Sequence, residues 1–76
     1  MAREQRIEIL AEMVANVLVV EVAVGDIVDI GDTVALLESM KMEIPVMAEV
    51  AGTVTAVKVA AGDVVQEGDP LVELTG

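Results

Sequence analysis

The two halves of the sequence repeat each other at a fixed offset, and this repeat constrains the fold more than any other feature. Gly25-Asp26-Ile27-Val28 recurs as Gly62-Asp63-Val64-Val65, and Gly31-Asp32 recurs as Gly68-Asp69. Gly-Asp pairs are typical of turns, and the segments between them are short and rich in valine, which favours strands. The repeat therefore predicts an all-β domain of two similar halves related by a pseudo-twofold axis, each contributing about four short strands.

Apolar runs between the predicted turns define the expected strands. With no cysteine and no aromatic residue, a chain of 76 residues must bury aliphatic side chains without disulfide support. A flattened barrel of two sheets would bury them and limit exposed strand edges. We expect a loose tail over 1–5 and one domain over 6–76. The predicted strands are 7–11, 16–24, 27–28, 34–37, 42–47, 53–59, 64–65 and 70–74.

The run 34–47 contains no Gly, Asn or Asp, yet it is too long for one strand of a small domain. We expect the chain to turn back at Met40-Lys41, with Lys41 in solvent at the tip of a β-hairpin. Two-residue hairpin turns favour Asn-Gly or Asp-Gly, because both central residues need positive φ. Met-Lys breaks that local preference, which indicates a functional role for the lysine. Pro45 cannot donate a ladder hydrogen bond, so the returning strand should lie at a sheet edge or carry a bulge.

Met40-Lys41-Met42, preceded by Glu38-Ser39, resembles the biotin-attachment motif of biotin carboxyl carrier proteins, whose usual form is Ala-Met-Lys-Met. The resemblance extends over about 7–74 and is nearest to small, free-standing biotinylated proteins; Ser39 is a small departure from the usual alanine. It implies a barrel-sandwich hybrid of two four-stranded antiparallel sheets, in agreement with the repeat.

The resemblance also implies a function. A biotin protein ligase would join biotin to Lys41, and the carried ring would move a carboxyl group from a biotin carboxylase to a carboxyltransferase. Met40 and Met42 would flank the site, with at least one of them exposed for contact with the ligase or carboxylase. Glu38 is a possible contact for a basic patch on the ligase. Lys58, the only other lysine, receives no role.

Two other functions stay open at this point. One is a lipoyl carrier, although the tip of lipoyl domains resembles Asp-Lys-Ala, and the methionines here favour biotin. The other is an unmodified interaction module of the same fold. A calcium loop is excluded, because a loop beginning at Asp26 needs glutamate at its twelfth position and Leu37 stands there. Without His, Cys or Tyr the chain has little equipment for acid–base catalysis, so we expect no enzyme activity of its own.

A formal net charge of −10 narrows the possible partners. It opposes binding to nucleic acid and to anionic membrane surfaces. The charge keeps an apolar chain soluble and is suited to steering it towards basic enzyme surfaces. No apolar run approaches the length of a membrane span, and the polar start resembles no signal peptide. We therefore expect a cytoplasmic protein that is monomeric when isolated.

Overall fold

A computed structural model describes residues 6–76, which form eight β-strands; the predicted tail over 1–5 lies outside the described residues. The strands are β1 (Arg6–Leu10), β2 (Ala15–Val20), β3 (Ile27–Val28), β4 (Thr33–Ser39), β5 (Met42–Met47), β6 (Gly52–Val57), β7 (Val64–Val65) and β8 (Pro70–Thr75).

The strands pair into two antiparallel sheets of four, which confirms the expected all-β sandwich. The first sheet has the order β1-β8-β6-β3 and the second has the order β5-β4-β2-β7. Each sheet takes two strands from each half of the sequence, so the halves interlock. Strands β1 to β4 correspond in order to β5 to β8, and the pairing β4–β5 corresponds to β8–β1. The pseudo-twofold relation therefore covers all eight strands, including β1, which the sequence repeat did not reveal.

Hydrogen bonds at the Gly-Asp turns follow the same symmetry. Gly25 donates its N–H to the carbonyl of Val54, and Gly62 donates to Val17, both at 2.8 Å. Both glycines have positive φ, 97° and 96°, a conformation that is unstrained only for glycine. The aspartate that follows each glycine accepts a backbone N–H from three residues earlier. The turn assignment of these pairs is confirmed.

The core between the sheets is entirely aliphatic, and no buried side-chain nitrogen or oxygen in residues 6–76 lacks a hydrogen-bond partner. Inward and outward residues broadly alternate along the strands. The exceptions are β4 and β8, where Val34-Ala35 and Leu71-Val72 are consecutive buried residues. The largest fully buried side chains are Val17, Val34, Leu37, Val54, Val65, Leu71, Val72 and Leu74.

Strand bounds differ from prediction where the chain leaves a sheet. The predicted strand 16–24 ends at Val20, because the chain then turns and the N–H of Ala23 binds the Asp26 carboxylate at 2.9 Å. Val24 is consequently exposed rather than part of a buried face. The predicted strand 53–59 ends at Val57 for the equivalent reason. Strand β4 extends two residues beyond Leu37 to Ser39, towards the turn.

Strand β5 lies at the edge of the second sheet, so the expectation for Pro45 is confirmed. A proline on the outermost strand costs no interior ladder bond. Within the part of the chain that the structure describes, there is no helix long and apolar enough to cross a membrane.

Candidate functional site

The hairpin between β4 and β5 places Lys41 at its tip. The two strands pair continuously down from Ser39 opposite Met42, which leaves only Met40 and Lys41 in the turn. Met40 has φ 54° and Lys41 has φ 65°, and no other non-glycine residue within 6–76 has positive φ. Both central residues are therefore left-handed, as a two-residue hairpin turn requires. The predicted turn and its unfavourable backbone conformation are confirmed.

The side chains at the tip face solvent. Lys41 is exposed and makes no ion pair with any residue that the structure describes. Met40 is 89% exposed and Met42 is 60% exposed, so both methionines lie outside the core. Both apolar side chains are therefore available for contact with a partner. The prediction that at least one of the methionines is exposed is confirmed.

Lys58 provides an internal comparison for Lys41. It follows the end of β6 and its backbone N–H binds the carbonyl of Leu71 at 2.8 Å. Its side chain is exposed, but Lys58 lies in the irregular segment after β6 and not in a hairpin turn. Exposure alone therefore does not distinguish the two lysines, whereas backbone conformation does.

Glu38 and Glu43 lie directly opposite each other one step below the tip. Glu38 is half-buried and Glu43 is exposed. Like charges opposed across a strand pair are destabilising, and within residues 6–76 neither carboxylate has a lysine or arginine partner. The tip is thus a lysine above two uncompensated carboxylates. A two-residue turn at Met40-Lys41 implies this opposition, because Glu38 and Glu43 lie at equal distances from the turn.

A groove on the described part of the barrel lies away from the hairpin tip. It has a volume of about 550 Å³ and runs between the edge strands β1 and β5, and its lining reaches no closer to the tip than Ile44. Its walls are mainly aliphatic, and the titratable groups along it are Glu8, Glu12 and Glu49. Within the described range, no group of three or more acidic, histidine or cysteine side chains is placed to hold a metal ion. The arrangement is suited to presenting an amine outwards.

A family model described as "Biotin-requiring enzyme" matches residues 7–74, which is almost all of the chain and includes the hairpin. The chain belongs to this family. The resemblance read from the motif is therefore confirmed over the range that the sequence suggested.

Curated relatives are similar over a shorter segment. The chain is 63% identical over 38 residues to "Biotinylated protein TB7.3" of Mycobacterium tuberculosis (strain H37Rv), a segment that covers 50% of this chain. It is 66% identical over 38 residues to the TB7.3 homolog of Mycolicibacterium smegmatis, again covering 50% of this chain. The matched segment spans 54% of each relative's length.

Solved structures support the fold over nearly the whole chain. A single-chain, multi-domain long-chain acyl-CoA carboxylase superposes with a TM-score of 0.87 at 31% identity, over 92% of this chain and 7% of the carboxylase. The Kluyveromyces lactis urea carboxylase superposes with a TM-score of 0.86 at 30% identity, over 97% of this chain and 6% of that one. Both similar proteins are carboxylases of which this fold is a small part. These likenesses confirm the barrel-sandwich prediction and support a biotin carrier role.

Proposed function

We propose that this chain is a biotin carrier whose attachment site is the Nζ atom of Lys41. The observation that carries the proposal is the left-handed Met40-Lys41 turn. It places at the hairpin tip an exposed lysine that makes no ion pair within residues 6–76, in a segment that resembles the biotin-attachment motif. The name of the family and those of the similar proteins support biotin as the group that is attached.

For biotin attachment, this chain needs to do little more than present the Lys41 amine to the ligase. The neutral amine of Lys41 attacks the acyl carbon of biotinyl-adenylate, an amide bond forms, the bond from the acyl carbon to the phosphate oxygen breaks, and AMP leaves with the electron pair. Lys41 gives up one proton to become the neutral amine and a second as the amide forms, and both pass to solvent or to the ligase. Because Lys41 is exposed and has no ion-pair partner within 6–76, no contact in the barrel has to be broken first. The net charge of the chain becomes one unit more negative.

Once attached, biotin supplies a ring nitrogen that carries a carboxyl group. The barrel supplies tethering, which raises the effective concentration of the group at each partner active site, provided the arm reaches both. We propose that these partners are a biotin carboxylase and a carboxyltransferase, that a biotin protein ligase performs the attachment, and that Met40, Met42 and Glu38 contact these enzymes. We further propose that the chain has no catalytic activity of its own and works as a monomer in the cytoplasm.

Intact mass spectrometry of the chain purified from its own cells tests the proposal. We expect the added mass of one biotinyl group, while a lipoyl adduct or an unmodified chain would support the other two functions and refute this one. The two lysines allow a matched substitution. Streptavidin should detect Lys58→Arg as strongly as wild type and should not detect Lys41→Arg; a signal that survives in Lys41→Arg would refute the site.

A further inference from the structure

The outer surface of the second sheet, which leads up to the hairpin tip, forms a patch that we call the hairpin face. One row across the sheet joins Val64, Asn16, Glu38 and Glu43 by direct pairing. The next row away from the tip joins Val19, Leu36 and Pro45. These residues are exposed or half-buried, whereas their strand neighbours Val17, Leu37 and Val65 are buried, so this set points outwards.

The pseudo-twofold axis supplies an equivalent surface on the first sheet, which we call the opposite face. Its first row joins Ile27, Thr53, Thr75 and Arg6, and its second row joins Ala56, Glu73 and Glu8. Both surfaces have the same backbone geometry, the same strand order and the same bulge beside the second row. Any difference in their side chains is therefore not required by the fold.

The second rows differ in polarity. Where the hairpin face has Leu36 and Pro45, the opposite face has Glu73 and Glu8. Thr55 donates its hydroxyl hydrogen to the Glu73 carboxylate at 3.1 Å, so that row has internal polar partners. On the hairpin face, Val19 is 42% exposed beside an apolar leucine and proline. The second row is therefore apolar on the hairpin face, next to Lys41, and polar on the opposite face.

The first rows differ in charge compensation. On the opposite face Arg6 lies 3.6 Å from Glu73, the only ion pair within the described range. At the position equivalent to Arg6 the hairpin face has Glu43, which stands against Glu38. Two opposed carboxylates without a cation favour a partner that brings lysine or arginine. They disfavour a second copy of this chain, whose equivalent face has the same charges.

We propose that the hairpin face is the docking surface for the ligase that acylates Lys41, and that this ligase meets it with an apolar patch flanked by cationic side chains. This inference rests on the proposed function. A ligase must bring its acyl donor to Lys41 itself, and lysine has only a four-carbon stem, so the surface immediately below the tip has to approach the enzyme. A carboxylase acts on the far end of the longer biotinylated arm and does not need such proximity.

Steady-state biotinylation by the ligase of the source organism tests the proposal with symmetry-matched variants. Val19→Gln combined with Val64→Gln removes apolar surface from the hairpin face. Ala56→Gln combined with Ile27→Gln makes the same change at the equivalent positions of the opposite face. We expect the first pair to raise KM about tenfold with little change in kcat, because a few central contacts dominate docking. For Ala56→Gln combined with Ile27→Gln, KM should stay within about twofold of the wild-type value.

Charge is tested in the same assay. Glu43→Gln should raise KM and reduce its dependence on salt, because Glu43 lies on the proposed docking surface. Glu8→Gln should change neither, because Glu8 is an exposed carboxylate on the opposite face, which the ligase does not contact in this proposal. Thermal unfolding followed by far-UV circular dichroism shows whether each variant is folded under the assay conditions.

The outcomes separate the two proposals. If wild type is not biotinylated at Lys41, the proposed function fails whatever the variants do. If wild type is biotinylated and both matched pairs have the same KM, the docking surface is refuted while the function stands. Normal biotinylation of the hairpin-face pair with slowed carboxylation would assign the face to the carboxylase and refute the ligase assignment. If wild type is a dimer and Val19→Gln combined with Val64→Gln dissociates it, the face would be assigned to self-association and the ligase assignment would again be refuted.

Discussion

At the scale of single residues, the turn at Met40 and Lys41 sets function against stability. Each residue occupies the left-handed region, with φ 54° and 65°, where a side chain with a Cβ is strained. Asn-Gly satisfies the same turn without that strain. We therefore predict that Met40→Asn combined with Lys41→Gly stabilises the fold by about 1–2 kcal/mol. The melting temperature should rise by about 5–10 °C. Far-UV circular dichroism is the suitable measurement, since the chain has no aromatic chromophore.

Lys41→Ala is the control for this prediction. It removes the amine but leaves a Cβ in the left-handed region, so the melting temperature should stay near that of wild type. If Lys41→Ala raised the melting temperature as much as the double substitution, loss of the lysine side chain and not relief of backbone strain would account for the gain.

The sequence made this residue-scale site predictable because the run 34–47 is too long for one strand and has its single lysine near its middle. The same argument contained the opposition of Glu38 and Glu43, which follows from a two-residue turn by counting outwards. The absence of a compensating cation could not be read in this way. Arg6 is distant in sequence, and only the folded pairing of β1 with β8 places it near Glu73 rather than near the hairpin.

At the scale of strands, Gly52 is fixed by a close approach. A Cβ at Gly52 would lie 2.7 Å from the backbone oxygen of Thr75, which cannot move without disturbing β8. Its pseudo-symmetric counterpart, Ala15 at the start of β2, has a Cβ that the core accepts. We predict that Gly52→Ala destabilises the fold by about 2–3 kcal/mol, measured by urea unfolding.

Ala15→Gly is the matched reverse substitution. It should cost only about 1 kcal/mol, because it removes one methyl group and loosens one strand residue. Equal losses for the two substitutions would show that the contact with Thr75 is not what excludes alanine at Gly52.

The Gly-Asp turns join the strands and share one side-chain hydrogen bond in addition to their backbone bonds. The Asp63 carboxylate accepts the N–H of Ala60 at 2.9 Å, and Asp26, Asp32 and Asp69 accept equivalent bonds. We predict that Asp63→Ala lowers the free energy of unfolding by about 1 kcal/mol, the usual net value of such a bond. Asp63→Asn keeps an acceptor oxygen at the same place and should lose much less. Equal losses for alanine and asparagine would indicate that the negative charge matters, and not the hydrogen bond.

Strand positions were largely predictable from apolar runs and turn residues, but irregularities within the strands were not. The register of β2 against β4 shifts between Val17 and Val19, and that of β6 against β8 shifts between Val54 and Ala56. Nothing in the local pattern around Leu18 or Thr55 marks an extra residue. Such a bulge is set by how two strands from different parts of the chain meet and bend, which a single strand's composition does not record.

At the scale of the whole molecule, the repeat predicted two related halves but not their interlocking. The structure places β1 beside β8 and β7 beside β2, so each sheet is completed by strands of the other half. Apolar patterning predicts which face of a strand is buried, but it does not predict which distant strand pairs with that strand. Symmetry supplies part of that information, because the hairpin pair β4–β5 implies its counterpart β8–β1, and the pair β2–β7 implies β6–β3.

The whole molecule also carries a large negative net charge, and the one ion pair within residues 6–76 does not offset it. The net charge is −10, and the folded domain that carries it has a radius of gyration of only 12.1 Å. The carboxylates are therefore closer together, and repel one another more, in the folded state than in the expanded chain. The Debye length falls from about 30 Å at 0.01 M to about 10 Å at 0.1 M ionic strength, that is, from more than twice the radius of gyration of 12.1 Å to slightly less than it. We predict that this change in NaCl raises the melting temperature by about 5 °C, equivalent to about 1 kcal/mol.

A charge-reduced variant isolates the cause. Glu12, Glu49 and Glu67 are exposed and make no hydrogen bond or ion pair within the described residues, so converting all three to glutamine removes repulsion without removing a contact. This variant should melt above wild type at 0.01 M and respond less to added NaCl, since less repulsion is left to screen. The two melting curves should therefore converge as ionic strength rises. Parallel responses of variant and wild type would mean that salt acts on apolar burial, and the repulsion account would then be wrong.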